Sequence, residues 1–189
     1  MTTKYLTDAA QNLKELNWLV EILKQENIKS FLEIGARYGG SFWKIASVMP
    51  VGSKAVCVDL PFGYGGREDG QVNLEACISK LIELGYDAHL FLGDSTSPEI
   101  IQKVSALAPF DACFIDANHV ETFVRQDWKN YGSMARIIAF HDIGWKRNSG
   151  YKGSTIDVPK VWGELKQQYR HQEIILDGKD NGIGVLWRN

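Results

Sequence analysis

The sequence predicts an α/β domain: a mostly parallel sheet of seven strands with one antiparallel edge strand and helices on both faces. Three observations carry this. Short apolar runs alternate with stretches of helical periodicity along the chain. The runs are apolar throughout, the pattern of strands buried on both faces. The last two, in "HQEIILDGKDNGIGVLW", have only a turn between them, which adds an antiparallel edge.

The elements follow in order. In "DAAQNLKELNWLVEILKQEN", Leu13, Leu16, Leu19, Val20 and Leu23 recur at helical spacing, with Asp8 as the expected N-cap. "KSFLEIGARYGGSFWKIASVM" reads as strand, glycine turn and helix, and "KAVCVDL" as a second strand. A glycine-rich loop, "PFGYGGREDGQ", leads into the helix "VNLEACISKLIELG", which Gly85 stops. "AHLFLGDS" and "PEIIQKVSAL" are the third strand and its helix. "FDACFID" and "VETFVRQDWKNYGSM" are the fourth pair, and "ARIIAFHDIG" is the fifth strand. "VPKVWGELKQQY" is the last helix.

With 189 residues, 44% hydrophobic and 23% charged, the chain is expected to form one domain over 1–189. An N-terminal helix fills 1–28 and the α/β core 29–189. A net charge of −2 gives no reason to expect nucleic acid as a partner. Cys57, Cys77 and Cys113 read as reduced packing residues. No segment approaches the roughly 18 apolar residues of a membrane span. The expectation is a soluble cytoplasmic protein without a membrane partner. The oligomeric state stays open, a homodimer included.

One feature is not required of an arbitrary α/β domain. Four strands finish at or beside an acid, Glu33, Asp59, Asp94 and Asp116, and the fifth ends in His141–Asp142. Ligands of open α/β sheets bind outside the carboxyl ends of the strands. Ionisable groups gathered there are costly unless something polar meets them. In "EIGARYGGS", Gly35 allows a tight turn and Gly39 or Gly40 a close approach of ligand to backbone. A dinucleotide fingerprint would want glycine at 37, where Arg37 stands, and Glu33 would repel a pyrophosphate. A plain strand–helix turn is the alternative.

"FLEIGARYGG", "AVCVDL", "LFLGDS" and "FDACFIDANH", in this order and at these intervals, resemble the class I S-adenosylmethionine-dependent methyltransferases, which have a Rossmann-like fold. The resemblance implies that Glu33, Gly35, Ala36, Arg37, Gly39 and Ser41 face the methionine part of S-adenosylmethionine. It implies that Asp59 takes the ribose hydroxyls, that Leu60 flanks the adenine, and that Asp94 with Ser95 meets the adenine's polar edge. A carboxylate is suited to a ribose diol, and acids near a sulfonium are favourable by Coulomb attraction.

"FIDANHVETFVRQDW" followed by "IIAFHDIG" is similar to the O-methyltransferases acting on sugars of macrolides and to the cephalosporin-hydroxylase-like group. That similarity implies a divalent metal on Asp116, His141 and Asp142, with His119 as base, and a sugar or glycoside as acceptor. Methylating a sugar hydroxyl needs a positioned base or a Lewis acid. His141 stands where those families carry an acid, which tilts the metal from Mg²⁺ toward Mn²⁺, or toward none. Asp116 would sit where cofactor, metal and acceptor meet. Asn118 and Glu121 have capping-box spacing, which leaves a structural role open for His119.

Residues 61–72 and 144–155 are expected to close over the acceptor. Lys146, Arg147 and Lys152 could meet an anionic group or simply be solvated. Tyr64, Trp145 and Tyr151 could stack on a sugar. A nicotinamide-dependent oxidoreductase and a non-catalytic methyltransferase-like binding module are the rival readings.

Overall fold

The sheet takes the order β3-β2-β1-β4-β5-β7-β6. Its strands are β1 (Ser30–Ile34), β2 (Lys54–Asp59), β3 (Asp87–Leu92), β4 (Phe110–Ile115), β5 (Ala135–His141), β6 (Arg170–Ile174) and β7 (Ile183–Trp187). The helices are α1 (Leu13–Gln25), α2 (Gly40–Ala46), α3 (Glu68–Glu83), α4 (Pro98–Ser105), α5 (Glu121–Tyr131) and α6 (Val158–Leu165). This is a computed structural model, and it describes residues 4–6, 9–62, 68–145, 156–176 and 181–188.

β1 to β5 pair in parallel, while β7 runs antiparallel to both β5 and β6. This is the mixed, Rossmann-like sheet that the sequence predicts. The order reverses at β1, with β2 on one side and β4 on the other, so a cleft opens at their carboxyl ends.

Continuous apolar strands are explained by two cores. Phe31, Ala55, Cys57, Ala112, Phe114, Ile137 and Ala139 point to α1, α2 and α3. Leu32, Ile34, Val56, Val58, Cys113, Ile115, Ile138 and Phe140 point to α4, α5 and α6. Each buried side chain of this size contributes roughly 1.5–3 kcal/mol. The parity places Glu33, Asp116 and His141 on the same face as α1. The three cysteines are free and buried.

Two local expectations change. α1 starts at Leu13, capped by Asn12, whose Oδ1 accepts from the Lys14 N–H at 2.9 Å. Asp8 lies outside the described residues, and Leu13 is 58% exposed while Leu16, Leu19, Val20 and Leu23 are buried. The segment before Asn12 is thereby free to cross toward the sheet edge. The Asn118–Glu121 capping box does not form. Asn118 Oδ1 accepts from Val120 N–H at 3.0 Å, and the Glu121 N–H donates to Asp157 Oδ2 at 3.2 Å. A residue 36 positions away supplies the cap because the turn before α6 is latched there, the Asp157 N–H donating to His119 O at 2.8 Å. The Gly85 stop is present, with φ +88° after α3.

Candidate active site

The glycine turn shows what its glycines are for. Gly35 has φ +88°, and a Cβ on it would lie 2.3 Å from the Asp116 carbonyl oxygen and 2.6 Å from Ala117 Cα. Only glycine lets the ends of β1 and β4 meet this closely. A Cβ on Gly39, also at positive φ, would lie 3.1–3.2 Å from Leu74 and Cys77 of α3. Gly35 thus makes the tight turn that the sequence suggested, and Gly39 makes room for α3. Arg37 adopts a left-handed φ of 53° between them.

That turn delivers backbone donors to Asp59. The Arg37 N–H donates to Asp59 Oδ2, and the Leu60 N–H donates to Oδ1 at 2.7 Å. Burial raises the Asp59 carboxyl above its ordinary range, opposed by those N–H groups. Leu60 is 45% exposed at the mouth of the cleft. Ala36 and Ser41 are buried beneath it.

Glu33 is fully buried, and its Oε1 accepts from the Ser41 hydroxyl at the start of α2. Its Oε2 has no partner. Burial pushes its carboxyl well up, and the negative charges of Asp116 and Asp59 push the same way.

At the end of β3, Asp94 is exposed and Oδ1 accepts from Thr96 N–H and Oγ1 at 2.8 and 2.7 Å. The Ser95 hydroxyl turns inward and donates to Asp127 Oδ1 at 2.7 Å. Asp127 lies on α5 and is wholly buried. Burial lifts its carboxyl to about 6, against the Ser95 hydrogen bond.

The ends of β4 and β5 form a tight cluster. His119 Nε2 lies 3.4 Å from Asp116 Oδ1 and 3.2 Å from Asp142 Oδ2. His141 Nδ1 lies 3.3 Å from Asp116 Oδ1 and 3.2 Å from Asp142 Oδ1. Asp142 reaches this place through a left-handed φ of 61°, which Asp tolerates better than most residues. Burial would lift the Asp116 carboxyl, but His141 and His119 outweigh it and hold it well below the usual range. Burial would depress His141, yet Asp116 and Asp142 raise it to about 10. His119 is raised for the same reason, mainly by Asp116. His141 Nε2 is buried without a partner. Asp116, His119 and Asp142 each place a ligand atom within 4.8 Å of the others.

A residue that the sequence did not single out enters here. Gln11, ahead of α1, donates its Nε2–H to Asp116 Oδ2. A polar residue before a helix cap carries no signal that separates it from any solvated glutamine. Tyr64, Lys146, Arg147, Tyr151 and Lys152 lie outside the described residues. Trp145 is half-buried, next to Gly144, whose N–H donates to Asn181 O at 2.7 Å.

A family profile described as a methyltransferase domain matches residues 32–143, from the middle of β1 to just past Asp142. The chain belongs to this methyltransferase-domain family. Its architecture is that of the class I S-adenosylmethionine-dependent methyltransferases, as the sequence predicts. Solved structures agree on the fold. The O-methyltransferase TomG from Streptomyces achromogenes, involved in tomaymycin synthesis and solved with SAM, is 17% identical. It covers 99% of this chain and 87% of its own, with a TM-score of 0.70. An O-methyltransferase from Bacillus cereus in complex with SAH is 16% identical, covering 97% of this chain and 84% of its own, TM-score 0.65. A sequence comparison with curated proteins returns no match. Among the described residues, no helix is long and apolar enough to cross a membrane.

Proposed function

We propose that this methyltransferase moves the methyl group of S-adenosylmethionine onto an oxygen of a small polar acceptor, a sugar or glycoside diol being the class that suits the site. The observation that carries the acceptor reading is the cluster of Asp116, His119, His141 and Asp142 beside the Glu33–Gly39 turn. It gathers two histidines and two carboxylates at the point where a nucleophile would stand in line with the sulfonium. The cofactor fits the chain's own residues. Glu33 has an unpaired buried oxygen on the side of Asp116, and Asp59 stands at the end of β2 for a ribose diol. Holding nucleophile and sulfonium in line supplies most of the rate enhancement in such a transfer.

A divalent cation also fits. Asp116, His119 and Asp142 have donor atoms close enough to share one, and a mixed nitrogen and oxygen set suits Mn²⁺ better than Mg²⁺. When bound, such an ion lowers the pKa of an acceptor hydroxyl. In this arrangement His119 is the nitrogen donor, and His141 orients both carboxylates through Nδ1. A second reading rests on exposure. The His119 side chain is 35% exposed, against 6–9% for the other three. It is therefore the group best able to meet an acceptor and take its proton directly.

Methyl transfer to a panel of sugars, glycosides and catechol-like diols, with EDTA or added Mn²⁺, tests both. Turnover restored by Mn²⁺ supports the cation arrangement. Full turnover in EDTA that is lost in His119→Ala supports His119 as base. Absence of turnover on every oxygen acceptor, with cofactor bound, sinks O-methylation.

A further inference from the structure

Among the described residues, four buried side-chain atoms lack a hydrogen-bond partner: Gln11 Oε1, Glu33 Oε2, His141 Nε2 and Asp127 Oδ2. Gln11 and His141 each bond to or contact Asp116, and Glu33 feels its charge. An unpaired buried acceptor costs stability unless a bound molecule supplies its donor. Gln11 Oε1 and Glu33 Oε2, two such acceptors near one carboxylate, point to a polar occupant.

Asp116 divides its two oxygens. Oδ1 faces His119 and His141, whereas Oδ2 faces Gln11. The side-chain amide of Gln11 has one chemically sensible orientation here. Turning it over would set its carbonyl oxygen against a carboxylate oxygen. With Nε2 committed to Oδ2, Oε1 is left as a buried acceptor without a partner, and Gln11 is only 6% exposed. The segment carrying it is fixed. Four residues on, Glu15 is fully buried and accepts from the Leu176 and Gly182 N–H groups at 3.4 and 3.2 Å.

We propose that Gln11 positions the cofactor: its Oε1 accepts a hydrogen bond from the ammonium of the amino-acid end, which lies between Gln11, Glu33 and Asp116. This rests on the reading that the cleft binds S-adenosylmethionine. The group lining this end is acceptor-rich, so it selects an N–H cation and repels a carboxylate. The adenine's own amine is excluded by distance along the edge, since Asp59 and Asp94 hold the β2 and β3 ends. The N-terminal segment thereby completes the cleft, although it precedes the residues the family profile covers.

Calorimetry with two probes tests this. S-adenosylhomocysteine carries the ammonium, and 5′-methylthioadenosine has the same nucleoside without the amino-acid end. Gln11→Met keeps the unbranched length and removes both polar atoms. It should weaken S-adenosylhomocysteine roughly ten- to hundredfold, the scale of a hydrogen bond to a charge, and leave 5′-methylthioadenosine unchanged within about twofold. Equal weakening of both probes, or of neither, overturns the inference, because a merely structural role does not separate them. Wild-type protein that binds neither probe overturns the cofactor reading and this inference with it. A readout on the wild-type chain stands if the variant does not fold. The Gln11 side-chain amide resonance should move on adding S-adenosylhomocysteine and stay with 5′-methylthioadenosine; the same shift with both overturns the proposal.

Discussion

Asp94 and Asp116 occupy equivalent places, just beyond the ends of β3 and β4, yet the two carboxylates live differently. Asp94 is exposed, and the backbone and hydroxyl of Thr96 satisfy it within its own turn. The Asp116 side chain is only 9% exposed and is surrounded by Gln11, His119 and His141, drawn from three separate segments. Asp59 is held by backbone N–H groups alone, that of its neighbour Leu60 and those of Ala36 and Arg37 in the β1–α2 turn. The β2–β3 half of the edge is therefore held largely by backbone turns, with Ser95 tied to Asp127 of α5. The β4–β5 half is assembled from distant parts, and it holds unpaired buried atoms. The function proposed above places substrate chemistry in the second half, where Gln11 and His141 have polar atoms without partners of their own.

The largest expected effect breaks the assembled half. Asp142→Ala removes a partner of both histidines and should lower methyl transfer by about 10²–10³-fold, the scale for deleting one aimed polar group in an active site. Steady-state rates with a circular dichroism control check it.

Next is the seam between the halves. In Gly35→Ala a methyl would sit 2.3 Å from the Asp116 carbonyl oxygen at φ +88°. The expected loss is about 3 kcal/mol in the unfolding free energy from urea titration.

Asp127 sharpens the comparison through pH. Its folded carboxyl, raised by burial to about 6 from 3.8, holds its proton more tightly than in the unfolded chain. Its contribution is fully present below 3.8 and is lost as pH rises toward about 6. Asp127→Asn should flatten that decline, whose full size is roughly 2–3 kcal/mol, in denaturant titrations across this window. An unchanged slope would mean the carboxyl is not held in this way.

The smallest effect belongs to Asp94→Ala. The turn loses one local acceptor, and stability should fall by less than about 1 kcal/mol. A larger loss would show that Asp94 holds more than its own turn.

The same division explains what the sequence disclosed. Acids ending apolar runs are visible because strand and terminus lie side by side in the chain, so Glu33, Asp59, Asp94 and Asp116 could be placed at one edge. His141–Asp142 at the end of β5 was legible for the same reason. Gln11 was not, since its partner lies 105 residues away and nothing local marks it. The inward turn of the Ser95 hydroxyl depends on Asp127, which reads as an ordinary polar position of a helix. Capping shows the limit most plainly. Asn118 and Glu121 have the right spacing, but a tertiary contact from Asp157 took the Glu121 N–H. Local pattern predicts what neighbours in sequence do, and it is silent on which remote group outcompetes them.

The two bonds of Glu15 carry a consequence for synthesis. They join residue 15 to Leu176 and Gly182, across 161 and 167 positions of chain. During translation the first helix emerges long before its anchor exists, and contacts of such separation form late. The sheet edge can gather its acids as β1 to β5 appear, but the Glu15 anchor of the segment that carries Gln11 forms only once residues 176 and 182 are made. The last tie on that segment is thus made only after the parallel strands are in place.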